Sequence, residues 1–142
     1  MADAIKGILG VDPATHADDD MKAVLDALAS LNLKPIEECT PVEARQQPIP
    51  ADAVKKVVQE RNISVAPHVA AIQTRDNEIQ GAEGHNPARI YTPSVDDPFP
   101  VVLYFRGGGW VIADLDVYDA TPRAIEAQAN AVVVSAHYPF SP

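Results

Sequence analysis

The sequence predicts an α/β fold in which a mixed sheet follows a helical segment, and three observations carry the prediction. Val101-Val-Leu-Tyr-Phe105 is a short apolar run bounded by Pro100 and the glycines 107–109, which suits a strand buried on both faces, as in a parallel sheet. Ala131-Val-Val-Val134 is a second run of the same kind. Between them lies a helical stretch, and a strand-helix-strand succession predicts parallel strands joined by a right-handed crossover.

In chain order, residues 1–17 show little periodicity, and Asp12-Pro13 reads as a turn. Met21, Val24, Leu25, Leu28 and Leu31 then form an i, i+3, i+4, i+7 stripe behind Asp18-Asp-Asp20, whose charges suit the positive end of a helix dipole. An amphipathic helix covering a core is expected. Thr40-Pro-Val-Glu43 has the residues of a capping box with proline at the first helical position. Gln47-Pro-Ile-Pro50 ends that helix, and Val54, Val57 and Val58 mark another that closes near Asn62. From Ile63 the pattern changes. Val69, Ile72 and Ile79, then Ala88, Ile90 and Tyr91, flank Gly81-Ala-Glu-Gly84 and predict two short strands around a turn, at the antiparallel edge of the sheet. Ser94-Val-Asp-Asp-Pro98 reads as a loop, with Asp96 and Asp97 a solvated turn. Thr121 as N-cap with Pro122 at the first position places the last helix from Pro122 to Ala129.

Composition narrows the function. A chain of 142 residues with 46% hydrophobic and 22% charged residues can bury a core. Its net charge of −9 repels phosphate backbones and argues against nucleic acid as a partner. The single Cys39 forms no internal disulfide, and no apolar run is long enough for a signal peptide or membrane span, so a cytoplasmic protein is expected. No zinc-ligand spacing and no cofactor motif is present, and His16, His68 and His85 read as surface residues.

The chemistry concentrates in Arg106-Gly-Gly-Gly-Trp110. Glycines reach positive φ without steric cost, so a triplet at a strand end can turn several N–H groups toward one point and hold an anion or a developing negative charge. The plain alternative is a tight connection and nothing more. Residues 86–142, from Pro87-Ala-Arg-Ile-Tyr-Thr-Pro93 through Pro98 to Ile112, Asp114-Leu-Asp116 and Ala131-Val-Val-Val-Ser135, resemble the bacterial hormone-sensitive-lipase-like (family IV) esterases of the α/β-hydrolase superfamily, in their N-terminal portion. Three positions depart from that family: Arg106 stands in place of histidine, Ala113 in place of the usual glycine, and His137-Tyr-Pro-Phe-Ser-Pro142 in place of Asp-Tyr-Arg-Leu-Ala-Pro.

The resemblance implies a helical cap over residues 1–62, an incomplete hydrolase core over 63–142 with the first four strands of the sheet, and ester hydrolysis as the activity. It makes Gly108 and Gly109 the oxyanion-hole donors, has Gly107 shape the turn and Trp110 line the pocket, although an aromatic after a strand is as often core. Arg106 either supports the loop through its carbonyls, attracts an anionic substrate group, or is a solvated arginine at a strand end. None of the five serines has Gly-x-Ser-x-Gly surroundings, and His137 lacks a nucleophile and a partner carboxylate, so the nucleophile, acid and base are expected beyond Pro142. On that reading the partners are a small-molecule ester and the remaining part of the hydrolase, or a second copy through strand 101–105. Two other readings stay open: a non-catalytic binding or scaffolding module that keeps the half-fold, and phosphate binding at the glycines, against which the spacing counts because neither Gly-x-Gly-x-x-Gly nor Gly-Lys-Ser/Thr occurs.

Overall fold

A computed structural model describes residues 13–82, 84–94 and 98–141, so the expectations for Asp12, the Glu83 turn position and the Asp96-Asp97 pair lie outside the described residues. The chain divides into two compact units, with the boundary at Ser64/Val65.

The first unit is helical. A 3-10 turn at Pro13–His16 precedes α1, Asp19–Ser30. Asp18 caps α1 by accepting the N–H of Met21 at 2.8 Å, which satisfies one of the orphan donors of the first turn. α2, Pro41–Gln46, carries the expected capping box: Thr40 N–H donates to Glu43 Oε2 at 2.7 Å and Glu43 N–H to Thr40 Oγ1 at 3.3 Å. α3, Pro50–Glu60, starts on its proline, and Asp52 accepts the N–H of Ile49 at 2.8 Å. Ala27 of α1 and Ala53 and Val57 of α3 form a small core with Ala23, Val24, Leu28 and Leu31. Met21 and Leu25 of the predicted stripe are only partly covered.

The second unit is a four-stranded sheet of order β1-β2-β4-β3. Its strands are β1, Gln73–Gly81, β2, Gly84–Thr92, β3, Val101–Phe105, and β4, Val132–Ala136. β1 and β2 are antiparallel from Gln73↔Thr92 to Gly81↔Gly84. β2 pairs antiparallel with β4, and β3 pairs parallel with β4 from Val101↔Val132 to Phe105↔Ala136. Sheet and helices together give the mixed α/β architecture that the sequence predicts.

Four local expectations are corrected. Val69 is not in a strand: Pro67 opens a one-turn helix, α4, Pro67–Ala70, and β1 begins only at Gln73. β3 is not buried on both faces, since Val101, Leu103 and Phe105 are 68%, 55% and 61% exposed and, among the described residues, β4 is its sole strand neighbour. In β4 one face is buried, through Val133 and Ser135, while Val132 and Val134 are half-buried. The last helix, α5, is Ala120–Ala129 with Asp119 at the N-cap position, two residues earlier than Thr121-Pro122 suggests. Pro122 then falls within the first turn, where its missing N–H leaves no helical bond unmade.

Candidate active-site loop

The glycine loop is held by one buried cation. Arg106, at the end of β3, is 4% exposed, which overturns the reading of a solvated arginine. Its Nη1 donates to the carbonyls of Gly107 at 2.9 Å and Ile112 at 3.0 Å, so the guanidinium brackets the loop from both ends. Its Nε and Nη2 lie 3.3 and 3.0 Å from Nδ1 of His137. The guanidinium carbon sits 4.4 Å from the ring centre of Tyr138 and 5.2 Å from that of Phe140. Among the described residues no carboxylate pairs with it. Carbonyl dipoles, an imidazole lone pair and two aromatic faces replace its hydration instead, which a planar five-donor cation allows and an ammonium does not. The Tyr138 hydroxyl, 2.9 Å from the Arg106 carbonyl oxygen and 3.0 Å from that of Gly107, shares its one proton between them.

Within that frame the glycines are required. Gly108 has φ +127°, and a Cβ there would meet the Ile112 carbonyl oxygen at 2.1 Å and Arg106 Nη1 at 3.0 Å. Gly109 has φ +58° and faces open space. The Gly108 carbonyl accepts the N–H groups of Val111 and Ile112, both at 3.0 Å, closing the turn. The N–H groups of Gly108 and Gly109 themselves make no hydrogen bond among the described residues. Trp110 and Ala113 also adopt positive φ, +61° and +70°, a conformation L side chains rarely take and one that gathers at functional loops. Trp110 is 67% exposed, so it is not core; its carbonyl accepts the N–H of Ser141 at 2.8 Å.

Beside the loop, a cavity of 240 Å³ is lined by Pro87, Arg89, Asp114, Leu115, Asp116 and His137. Gly108 and Gly109 are not among its lining residues. Burial and then the charge of Arg106 push the His137 imidazole below its ordinary value, with Asp114 opposing them. Asp114 accepts the N–H groups of Asp116 at 3.0 Å and Val117 at 2.9 Å, which fixes the turn after the glycines. Deeper in the sheet, Arg89 grips Asp76 with two bonds of 2.7 and 3.0 Å and reaches Asp116 at 2.8 Å and Asp119 at 3.2 Å. The buried Tyr91 donates to Asp119 at 2.8 Å, and Arg123 pairs with the same carboxylate. Burial would raise Asp119, but these donors outweigh it and hold the carboxyl below its ordinary range. Asp119 and Arg123 form a local i,i+4 pair, but the links from Arg89 and Tyr91 to Asp116 and Asp119 span 27 to 30 positions, and no local pattern announces them. Among the described residues no cluster of His, Cys, Asp and Glu could hold a metal ion, and no helix is long and apolar enough to cross a membrane.

A mixed sheet whose third strand ends in a glycine triplet, with the fourth strand seated between the second and third, resembles the opening strands of the α/β-hydrolase sheet. Residues 102–142 match a family model described as alpha/beta hydrolase fold. The chain is 38% identical over 95 residues to Esterase LipI of Mycobacterium tuberculosis, covering 64% of this chain and 30% of that protein. It is 46% identical over 57 residues to Carboxylesterase NlhH of the same organism, covering 39% and 18%. In structure it is similar to a thermostable esterase from Pseudomonas putida ECU1011, with a TM-score of 0.64 and 28% identity over 88% of this chain and 36% of that one. The resemblance to the hormone-sensitive-lipase-like esterases thus holds in sequence and in fold. The chain spans 30% of the length of LipI and 36% of the Pseudomonas esterase.

Proposed function

We propose that this chain supplies the oxyanion loop of a carboxylic-ester hydrolase, with Gly108 and Gly109 as the donors and the serine nucleophile, its carboxylate and its histidine carried by sequence beyond Pro142. The observation that carries the reading is the pair of N–H groups on consecutive glycines, unbonded among the described residues, in a loop that Arg106 braces on both sides. Donors fixed before the reaction stabilise the oxyanion of a tetrahedral intermediate without reorganising, which is where acyl-transfer enzymes gain most. The relatives named esterase and carboxylesterase support the substrate class. Arg106 serves as the loop support, Gly107 shapes the turn through its carbonyl, and Trp110 offers an exposed apolar wall to the substrate. Residues 1–62 act as the helical cap of the same enzyme.

Phosphate binding at the glycines has less support, because α5 begins only at Ala120 and no helix N-terminus backs the triplet. The other reading is a non-catalytic scaffolding role that keeps the half-fold. Hydrolysis of short p-nitrophenyl esters separates the readings. Residues 1–142 alone are expected to give no turnover above background, and a polypeptide that continues past Pro142 is expected to turn over. Turnover by residues 1–142 alone would show that the nucleophile assignment is wrong, and an inert longer polypeptide would favour the scaffold.

A further inference from the structure

The pair Arg106 and His137 occupies the two positions where the sequence departs most from the esterases it resembles, and the two side chains touch. Arg106 carries donors and no acceptor, so its 3.0 and 3.3 Å contacts require a lone pair on Nδ1 of His137. A neutral imidazole with Nδ1 free carries its proton on Nε2. The same guanidinium binds the carbonyls of Gly107 and Ile112, the two ends of the turn that contains Gly108 and Gly109. Gly108 lies directly against it, since a Cβ there would stand 3.0 Å from Nη1.

We propose that His137 is a positioning residue for the glycine loop: as a neutral, Nε2-protonated imidazole it anchors Arg106, and through Arg106 it sets the orientation of the Gly108 and Gly109 amides. Protonation at Nδ1 removes the acceptor and sets two cations about 3 Å apart in a half-buried site, so the guanidinium must leave at least one of its loop carbonyls. The groups that face His137 agree with a neutral ring. Arg106 comes from the end of β3, Tyr138 and Phe140 from its own segment, and Pro87 from β2, with the His137 N–H bonded to the Pro87 carbonyl at 2.8 Å. Asp114, Asp116 and Arg89 share its cavity. Asp114 alone favours the cationic ring, and burial and Arg106 together outweigh it.

The inference rests on Gly108 and Gly109 as the working amides, yet its test does not need ester turnover. Magic-angle-spinning 15N NMR of the 142-residue chain, labelled in histidine and glycine, reads tautomer and loop together whatever the association state. At about pH 8 the His137 ring should show a pyridine-type Nδ1 and a pyrrole-type Nε2. Between about pH 8 and about pH 5 the Gly108 and Gly109 amide signals should move with the His137 midpoint, below the ordinary imidazole value. In His137→Gln, whose side-chain oxygen can still accept from Arg106, the two signals should hold their high-pH positions throughout. In His137→Ala they should sit displaced at every pH. A protonated Nδ1 at about pH 8, or glycine signals that ignore the His137 titration in the unaltered chain, would overturn the proposal and would leave the ester-hydrolase reading to its own assay.

Discussion

At the scale of single residues, the loop depends on conformations that its sequence only partly declares. The glycine triplet was legible as a place for positive φ, and Gly108 and Gly109 take it. Arg106 was not legible as a buried residue, because what makes burial tolerable is a set of partners 31 and 32 positions away, His137 and Tyr138. Ala113 carries more weight than a glycine-to-alanine difference suggests, since its φ of +70° places Cβ against the following carbonyl. Ala113→Gly is therefore expected to raise stability by about 1 kcal/mol, the relief of left-handed strain less the entropy glycine adds to the unfolded chain. Chemical denaturation of the two proteins measures it. A midpoint unchanged or lowered in Ala113→Gly would mean that the alanine is unstrained.

Among the elements, the capping box and the presence of four strands were legible, while the strands' burial and ends were not. The capping box at Thr40 and the two apolar runs are local, and they appear where they were placed. β1, Gln-Thr-Arg-Asp-Asn-Glu-Ile-Gln-Gly, is polar almost throughout, so no alternation marks it, and its pairing with β2 sets it instead. α5 starts early with Asp119 at its N-cap position in helical conformation and without a side-chain cap, the Asp119 carboxylate being bonded instead to Tyr91, Arg89 and Arg123. That network ties β1, β2 and α5 together and gives the sheet a pH dependence. Asp76, through its hydrogen bonds from Arg89, and Asp119, through Arg123, Tyr91 and Arg89 against its burial, have folded values below their unfolded ones. Their contribution is complete above the unfolded carboxylate value and is lost as pH falls through the lowered folded values, that is, below about pH 4. Asp76 is largely exposed, so Asp119 carries most of the effect. Arg89→Met should cost about 1 to 3 kcal/mol at neutral pH and flatten the loss of stability below about pH 4. Equal acid profiles for the two proteins would rule out Arg89 as the source.

For the whole molecule, the outer face of β3 is the exposed liability. Val101, Leu103 and Phe105 lie on one side of a strand that has a single neighbour among the described residues, and nothing charged interrupts them. Apolar surface left in water forgoes about 25 cal/mol per Å², so the 142-residue chain is expected to associate through this strand. Leu103→Lys should leave the melting of the isolated chain unchanged within about 0.5 kcal/mol and lower its light scattering. In a polypeptide that continues past Pro142 and covers the strand, the same change should cost on the order of 3 kcal/mol. A monodisperse chain with and without the lysine would show that β3 is not the associating edge.

In the proposed enzyme the Gly108 and Gly109 amides stabilise an oxyanion, and removing one N–H while keeping the backbone tests this most directly. Replacing Gly109 by glycolic acid, in a polypeptide that carries this chain and a serine nucleophile, exchanges one amide for an ester and leaves the turn and its positive φ available. With p-nitrophenyl butyrate as substrate, kcat should fall by about 10²-fold or more, with KM little changed. A kcat within about twofold of the unmodified enzyme would contradict the assignment of Gly109 as an oxyanion donor.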